Sequence, residues 1–161
     1  MPSVIIDPLT PADQQWVAER TLLRWGATTI VVHGVVYEPH TQPGFVATYE
    51  GRRVGLITYR VDDTGCEIVS LDSVLPGRGV STVLVAMVVE EARQHRSARV
   101  WLVTTNDNLN ALRFYQKRGF VLVAIHRDAV AAARAIKPEI PLIGDDGISI
   151  RDEIELELAG L

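Results

Sequence analysis

The chain has 161 residues, 47% of them aliphatic or aromatic (cysteine included) and 22% charged, with 16 Lys and Arg against 20 Asp and Glu for a net charge of -4. That size and mixture fit one globular domain, residues 1–161, and exclude disordered and collagen-like classes; the acidic balance gives no counterion release of the kind that drives nucleic-acid binding. Cys66 is the one cysteine, so neither an internal disulfide nor a thiolate-rich metal site can form, and with no signal-peptide pattern and no apolar run of ~18 residues the expectation is a cytoplasmic protein with no membrane partner.

In chain order, "SVIID" predicts a short strand stopped by Pro8, and "TPADQQWVAERTLLRW" a helix with Thr10 as cap and Pro11 at its first position. "GATTIVVHGVVYEPHTQPG" has β-branched runs punctuated by glycine and proline, which predicts short extended pieces and loop. "FVATYEGRRVGLITYRV" reads as a hairpin turning at Glu50 and Gly51, and "CEIVSLDSV" as a third strand after the turn "DDTG". From Gly79, Val80, Val83, Leu84, Met87 and Val88 recur at helical spacing. "ARVWLVTT" then predicts a strand, "NDNLNALRFYQKR" a helix ended by Gly119, "FVLVAIH" a strand, and "DAVAAARAIK" a short helix capped by Asp128. The tail "DEIELELAG" alternates with period two; it suits a half-buried strand whose apolar face pairs across a homodimer or sits inside the sheet. Together these elements predict a mixed sheet with helices packed on it, an α/β (α+β) fold.

Two segments carry chemistry. In "VLPGRGVS" a strand is followed within a few residues by a helix, whose first N–H groups have no intrahelical acceptor. Gly77 and Gly79 let an anionic oxygen approach those amides, and Arg78 supplies a charge; the alternative is a tight turn with glycines for geometry alone. Neither a G-x-x-x-x-G-K-[ST] loop nor a G-x-G-x-x-G fingerprint is present. In "NDNLNALRFYQKRGF", Asn108, Ala111 and Tyr115 stack along one helix face, either against a ligand or as a cap and core residues.

Taken together, the two segments resemble the GCN5-related N-acetyltransferase (GNAT) superfamily: "PGRGVS" stands in its [QR]-x-x-G-x-[GA] turn, and "NLNALRFYQKRGF" matches its N-x-x-A-x-x-x-Y helix with a closing G-F. Pro76 and Ser81 depart from the turn pattern. The resemblance implies a mostly antiparallel sheet of about seven strands with helices on both faces, and an N-acetyltransferase that moves acetyl from acetyl-CoA to a primary amine of a small molecule or peptide by direct attack, without a metal. It further implies that the amides of Gly77, Arg78, Gly79, Val80, Ser81 and Thr82 hold the CoA diphosphate. The strand before the turn would pair with pantetheine, a backbone N–H near Ser73 or Val74 would polarise the acetyl carbonyl, and Asn108, Ala111 and Tyr115 would line the cofactor arm. Tyr115 is then the candidate acid for the leaving thiolate, and Glu67 and Asp72 are candidate bases. Plain alternation puts those two carboxylates on opposite faces unless a bulge intervenes. His33 and His40 flank the segment that the resemblance sets near the acceptor. A non-catalytic acyl-CoA-binding module and a structural domain without cofactor are the competing readings.

Overall fold

A computed structural model describes residues 3–161. Nine strands and four helices alternate along it: β1 (Ile5–Pro8), α1 (Gln14–Trp25), β2 (Ile30–Val32), β3 (Val35–Tyr37), β4 (Gly44–Tyr49), β5 (Arg52–Asp62), β6 (Gly65–Ser73), α2 (Val80–Gln94), β7 (Arg99–Thr105), α3 (Leu109–Lys117), β8 (Val121–His126), α4 (Ala129–Ile136) and β9 (Glu153–Ala159). Seven strands form one sheet in the order β1-β4-β5-β6-β7-β9-β8, and β2 and β3 form a separate hairpin. Every pairing in the large sheet is antiparallel except β6 with β7. Among the described residues no helix is long and apolar enough to cross a membrane.

The predicted helix start at Thr10 and Pro11 opens as a short 3-10 turn, Pro11–Asp13, because the Asp13 carboxylate accepts from the Thr10 N–H at 2.9 Å and its hydroxyl at 3.3 Å. The "VVHGVVY" segment is sharper than the sequence suggested: His33 and Gly34, at φ 41° and 78°, make the two-residue turn of the β2–β3 hairpin. Asp128 differs from expectation too. It sits at φ 59°, its side chain caps nothing, and its own N–H donates to Asp152 Oδ1 at 2.9 Å.

The alternating tail resolves as an internal strand, since β9 pairs with β7 on one side and β8 on the other. Its Ile154 and Leu156 point into a core shared with Cys66, Ile68, Val100, Leu102, the α2 residues Val80, Leu84 and Val88, and Tyr115 of α3. So α2 and α3 cover one face. The hairpin and α1 cover the other, where Arg20 of α1 reaches Asp72 and His33 reaches Glu67.

Candidate acyl-transfer site

The parallel junction of β6 and β7 is two residues long, Cys66 opposite Val100 and Glu67 opposite Trp101, and beyond it the strands part. From Val69 to Ser73 the β7-facing edge of β6 therefore carries backbone groups with no sheet partner, which must be met by water or by another extended chain. The Val74 N–H donates back to the Val54 carbonyl at 2.9 Å, so of the two expected donors it is already engaged. Alternation turns the Ser73 N–H to the opposite edge, toward the gap.

A bulge decides where the acids go. Thr58 pairs with Ser70 and Tyr59 with Ile68, which leaves Val69 as the extra residue and flips the facing of everything before it. Plain alternation would separate Glu67 from Asp72; with the bulge both share the α1 face with Ser70, whose hydroxyl meets that of Thr58 at 2.6 Å. Asp72 is taken up structurally: Oδ2 accepts from Arg20 Nε at 2.8 Å and Nη2 at 2.7 Å.

Glu67 lies at the fork with a side chain only 4% exposed. Its Oε1 accepts from the Tyr37 hydroxyl at 2.5 Å, and its Oε2 lies 2.7 Å from His33 Nε2. Burial, then the bond to Glu67, push the Tyr37 hydroxyl above the ordinary phenol range, so it stays a donor. The bond to Glu67 is the largest influence on His33 and, with the nearby Glu153 charge, raises its pKa above 6.5 despite partial burial. The imidazole also lies 5.2 Å from the Trp101 ring and edge-on to Tyr37, and the His33 backbone N–H donates to Glu153 Oε1 at 3.1 Å. His40 is elsewhere. It sits in the short 3-10 turn Pro39–Thr41, in a cleft of about 170 Å³ walled by Leu9, Pro11, Val17 and Gln42, and does not join His33.

At the other mouth of the gap, the first helical bond of α2 runs from Val83 N–H to the Gly79 carbonyl at 3.1 Å, leaving the N–H groups of Val80, Ser81 and Thr82 without a helical acceptor. Gly77 and Gly79 adopt φ 75° and 68°, and no atom lies within 4 Å of where a Cβ would stand on either, so the mouth is open. Val80 itself is buried in the core, whereas Thr82 is exposed and its hydroxyl accepts from Arg118 Nη2 at 2.6 Å. Arg78 leans over the Tyr49 ring at 5.1 Å. Arg118, on the ring of Phe114, is a second cation at this mouth that sequence reasoning missed; its place just before Gly119 in the matched helix was the available signal.

Asn108 caps α3, accepting from Ala111 N–H at 3.2 Å and donating to Thr104 Oγ1 at 3.2 Å. Tyr115 is buried between Phe114 and Phe120, and burial raises its pKa above the ordinary phenol value. The sealed, unpartnered polar side-chain atoms among the described residues are His40 Nδ1, Gln42 Oε1 and Trp101 Nε1. The Tyr115 hydroxyl makes no hydrogen bond to the described residues and is not among them, so it opens onto free volume. Cys66 is a fully buried thiol, pushed up to about 12 mainly by desolvation, and therefore inert as a nucleophile.

The chain is 44% identical over 131 residues to the uncharacterized protein YdhI of Bacillus subtilis (strain 168), covering 81% of this chain and 82% of that one. Its fold matches the IAA acetyltransferase from Bacillus cereus ATCC 14579 with a TM-score of 0.71 at 22% identity, covering 98% of this chain and 99% of the other. It also matches a GNAT family acetyltransferase from Elizabethkingia anophelis, solved with acetyl-CoA bound, with a TM-score of 0.67 at 20% identity over 98% of each. The sequence profile of the Acetyltransferase (GNAT) family matches residues 12–120, and the chain belongs to that family.

Proposed function

We propose that the protein transfers acetyl from acetyl-CoA to a primary amine by direct attack, within a single domain spanning residues 1–161. The observation that carries this is the gap between β6 and β7: an extended strand edge from Val69 to Ser73 that needs amide-like partners, ending at the open amides of Val80, Ser81 and Thr82. Pantetheine supplies such partners along its length and a diphosphate at its end, so one ligand meets both needs. Acetyl-CoA bound to a fold neighbour supports the same ligand here. A helix start contributes only about 0.3–1 kcal/mol toward an anion, so the strand edge and the Arg78 and Arg118 cations must provide most of the affinity.

The thioester then lies between Tyr115 on one face and the His33–Glu67 cluster on the other. The amine nitrogen attacks the acetyl carbon, the C–S bond breaks, and the thiolate takes a proton from the Tyr115 hydroxyl. A lysine-like amine with pKa near 10.4 is charged at neutral pH, so a proton acceptor on the acceptor side is required. Asp72 is committed to Arg20, which leaves the Glu67 cluster.

Calorimetry with acetyl-CoA and CoA, followed by thiol release with spermidine, L-lysine and a glycine-initiated peptide as acceptors, tests the reading. Heat with saturation at micromolar ligand and acceptor-dependent thiol release are expected. Absence of heat at ~100 μM ligand refutes it, and tight binding without release to any amine identifies an acyl-CoA-binding module instead.

A further inference from the structure

We infer that the proton acceptor for the attacking amine is Nδ1 of His33, and that Glu67 is a positioning residue that holds the imidazole. This rests on the acetyl-transfer reading above and names an atom that reading leaves open.

Both oxygens of Glu67 are occupied, Oε1 by the Tyr37 hydroxyl at 2.5 Å and Oε2 by His33 Nε2 at 2.7 Å, and the side chain is sealed from solvent. The sealed carboxylate therefore offers an incoming amine no direct approach. His33 is the accessible member, with a side chain 27% exposed. An ionised carboxylate only accepts, so Nε2 carries the hydrogen in the neutral ring and the lone pair resides on Nδ1. Nδ1 makes no hydrogen bond to another described residue and is not among the sealed polar atoms, and the backbone of His33 itself lies close enough to favour a protonated ring.

The ring is also held in place. Trp101 lies against one side at 5.2 Å, Tyr37 stands edge-on at 5.9 Å, and the backbone at φ 41° is tied to Glu153 Oε1. Glu67 is in the last paired rung before β6 and β7 part, so the ring bonded to it stands over the fork. The groups that face His33 are Glu67 of β6, Glu153 of β9, Tyr37 of β3 and Asp62 at the end of β5, with Arg60 of β5 over the Tyr37 ring at 5.9 Å. Acids predominate, and the imidazole is a stronger base than a free one.

The step balances. The amine arrives as an ammonium: Nδ1 takes its first proton and passes it to solvent; as the C–N bond forms and the C–S bond breaks, Nδ1 takes the second N–H proton and passes it on likewise, while the thiolate takes a proton from Tyr115, which is reprotonated from water. Amine and thioester become amide and thiol with no change of oxidation state.

Two measurements test this. Ring nitrogen–proton NMR of the protein should find neutral His33 protonated on Nε2 and bare on Nδ1, titrating above 6.5, and E67Q should lower that midpoint. The reverse tautomer, or a midpoint that E67Q does not move, overturns the assignment, and the tautomer measurement requires no variant. In thiol release with the three probe amines, H33Q should lower kcat/KM about 100-fold or more and erase the rise in rate with pH. E67Q should keep that rise but shift it to lower pH, and acetyl-CoA affinity should stay within about 3-fold in both. If E67Q erases the rise while H33Q keeps it, Glu67 itself is the base and the inference fails. If acetyl-CoA binds neither wild type nor variants, the acetyl-transfer reading fails and takes the catalytic role of His33 with it, whatever the tautomer.

Discussion

Replacing Arg20 with alanine isolates what the bulge at Val69 does to Asp72. The Asp72 side chain is 5% exposed, and both guanidinium contacts, at 2.7 and 2.8 Å, fall on its Oδ2. Removing one partner of a buried pair costs about 3–5 kcal/mol, because the surviving carboxylate loses its counter-charge without regaining water. Arg20 is 21% exposed, so some water reaches the vacated position and the lower figure, about 3 kcal/mol, applies. For a chain of this size each kcal/mol moves Tm by roughly 2–4 °C, which predicts a loss of about 6–12 °C for R20A. Thermal unfolding followed by circular dichroism, with urea titration as a second measure, reads this directly. The double variant R20M/D72L should recover most of the loss, since a well-packed apolar pair can replace a buried ionic one. A shift under about 2 °C for R20A refutes the structural role. So does a D72N variant that keeps its Tm yet loses transfer about 100-fold, which would return Asp72 to the catalytic set.

Three further outcomes follow from particular contacts. Y115F should keep acetyl-CoA affinity by calorimetry and lower turnover at least ~10-fold at neutral pH, because the substitution removes only the hydroxyl proposed to protonate the thiolate; an unchanged rate removes Tyr115 from the chemistry. G55A should be destabilised by about 1–3 kcal/mol in urea titration, since the added Cβ would stand 2.7 Å from Val80 Cγ1 and 3.3 Å from Leu84 Cδ1. The strain falls on the first turn of α2, so CoA affinity should weaken as well. Burial raises the Asp13 pKa, but the Thr10 N–H and the Arg53 guanidinium outweigh it and hold the carboxyl below 3.8. A depressed folded pKa means stability that is present above 3.8 and lost as pH falls from there through the folded value. Tm against pH should therefore decline more steeply below pH 4 in wild type than in D13N, and parallel curves would refute this.

Much of the scaffold was legible because it rests on periodicity. The apolar stripe of α2, the hairpin at Glu50 and Gly51, and the alternation of "EIELEL" each emerge as expected. The facing of the two acids was not legible, since a single extra residue in β6 inverts it and Val69 is an ordinary strand residue with no turn chemistry to mark it. The cluster of His33, Tyr37 and Glu67 hid for a related reason. Its hairpin strands are three residues each, too short to display a period, and the contacts that matter, His33 and Tyr37 with Glu67, span 34 and 30 positions. The pair "HG" between β-branched runs was the one local sign of a tight reversal there. His40 stood beside it in sequence, but the 3-10 turn after Tyr37 carries it away against α1.

The insertion of β9 between β7 and β8 has a consequence for how the molecule assembles. Strand β8 bonds to no other strand of the large sheet, so that border must wait for the final strand in chain order to thread into place. During synthesis the emerging polypeptide can settle β1 through β7 with α2 early, while α3, β8 and α4 stay loosely attached. The last segment is therefore the keystone of that border, and β8 has no sheet partner until it is set.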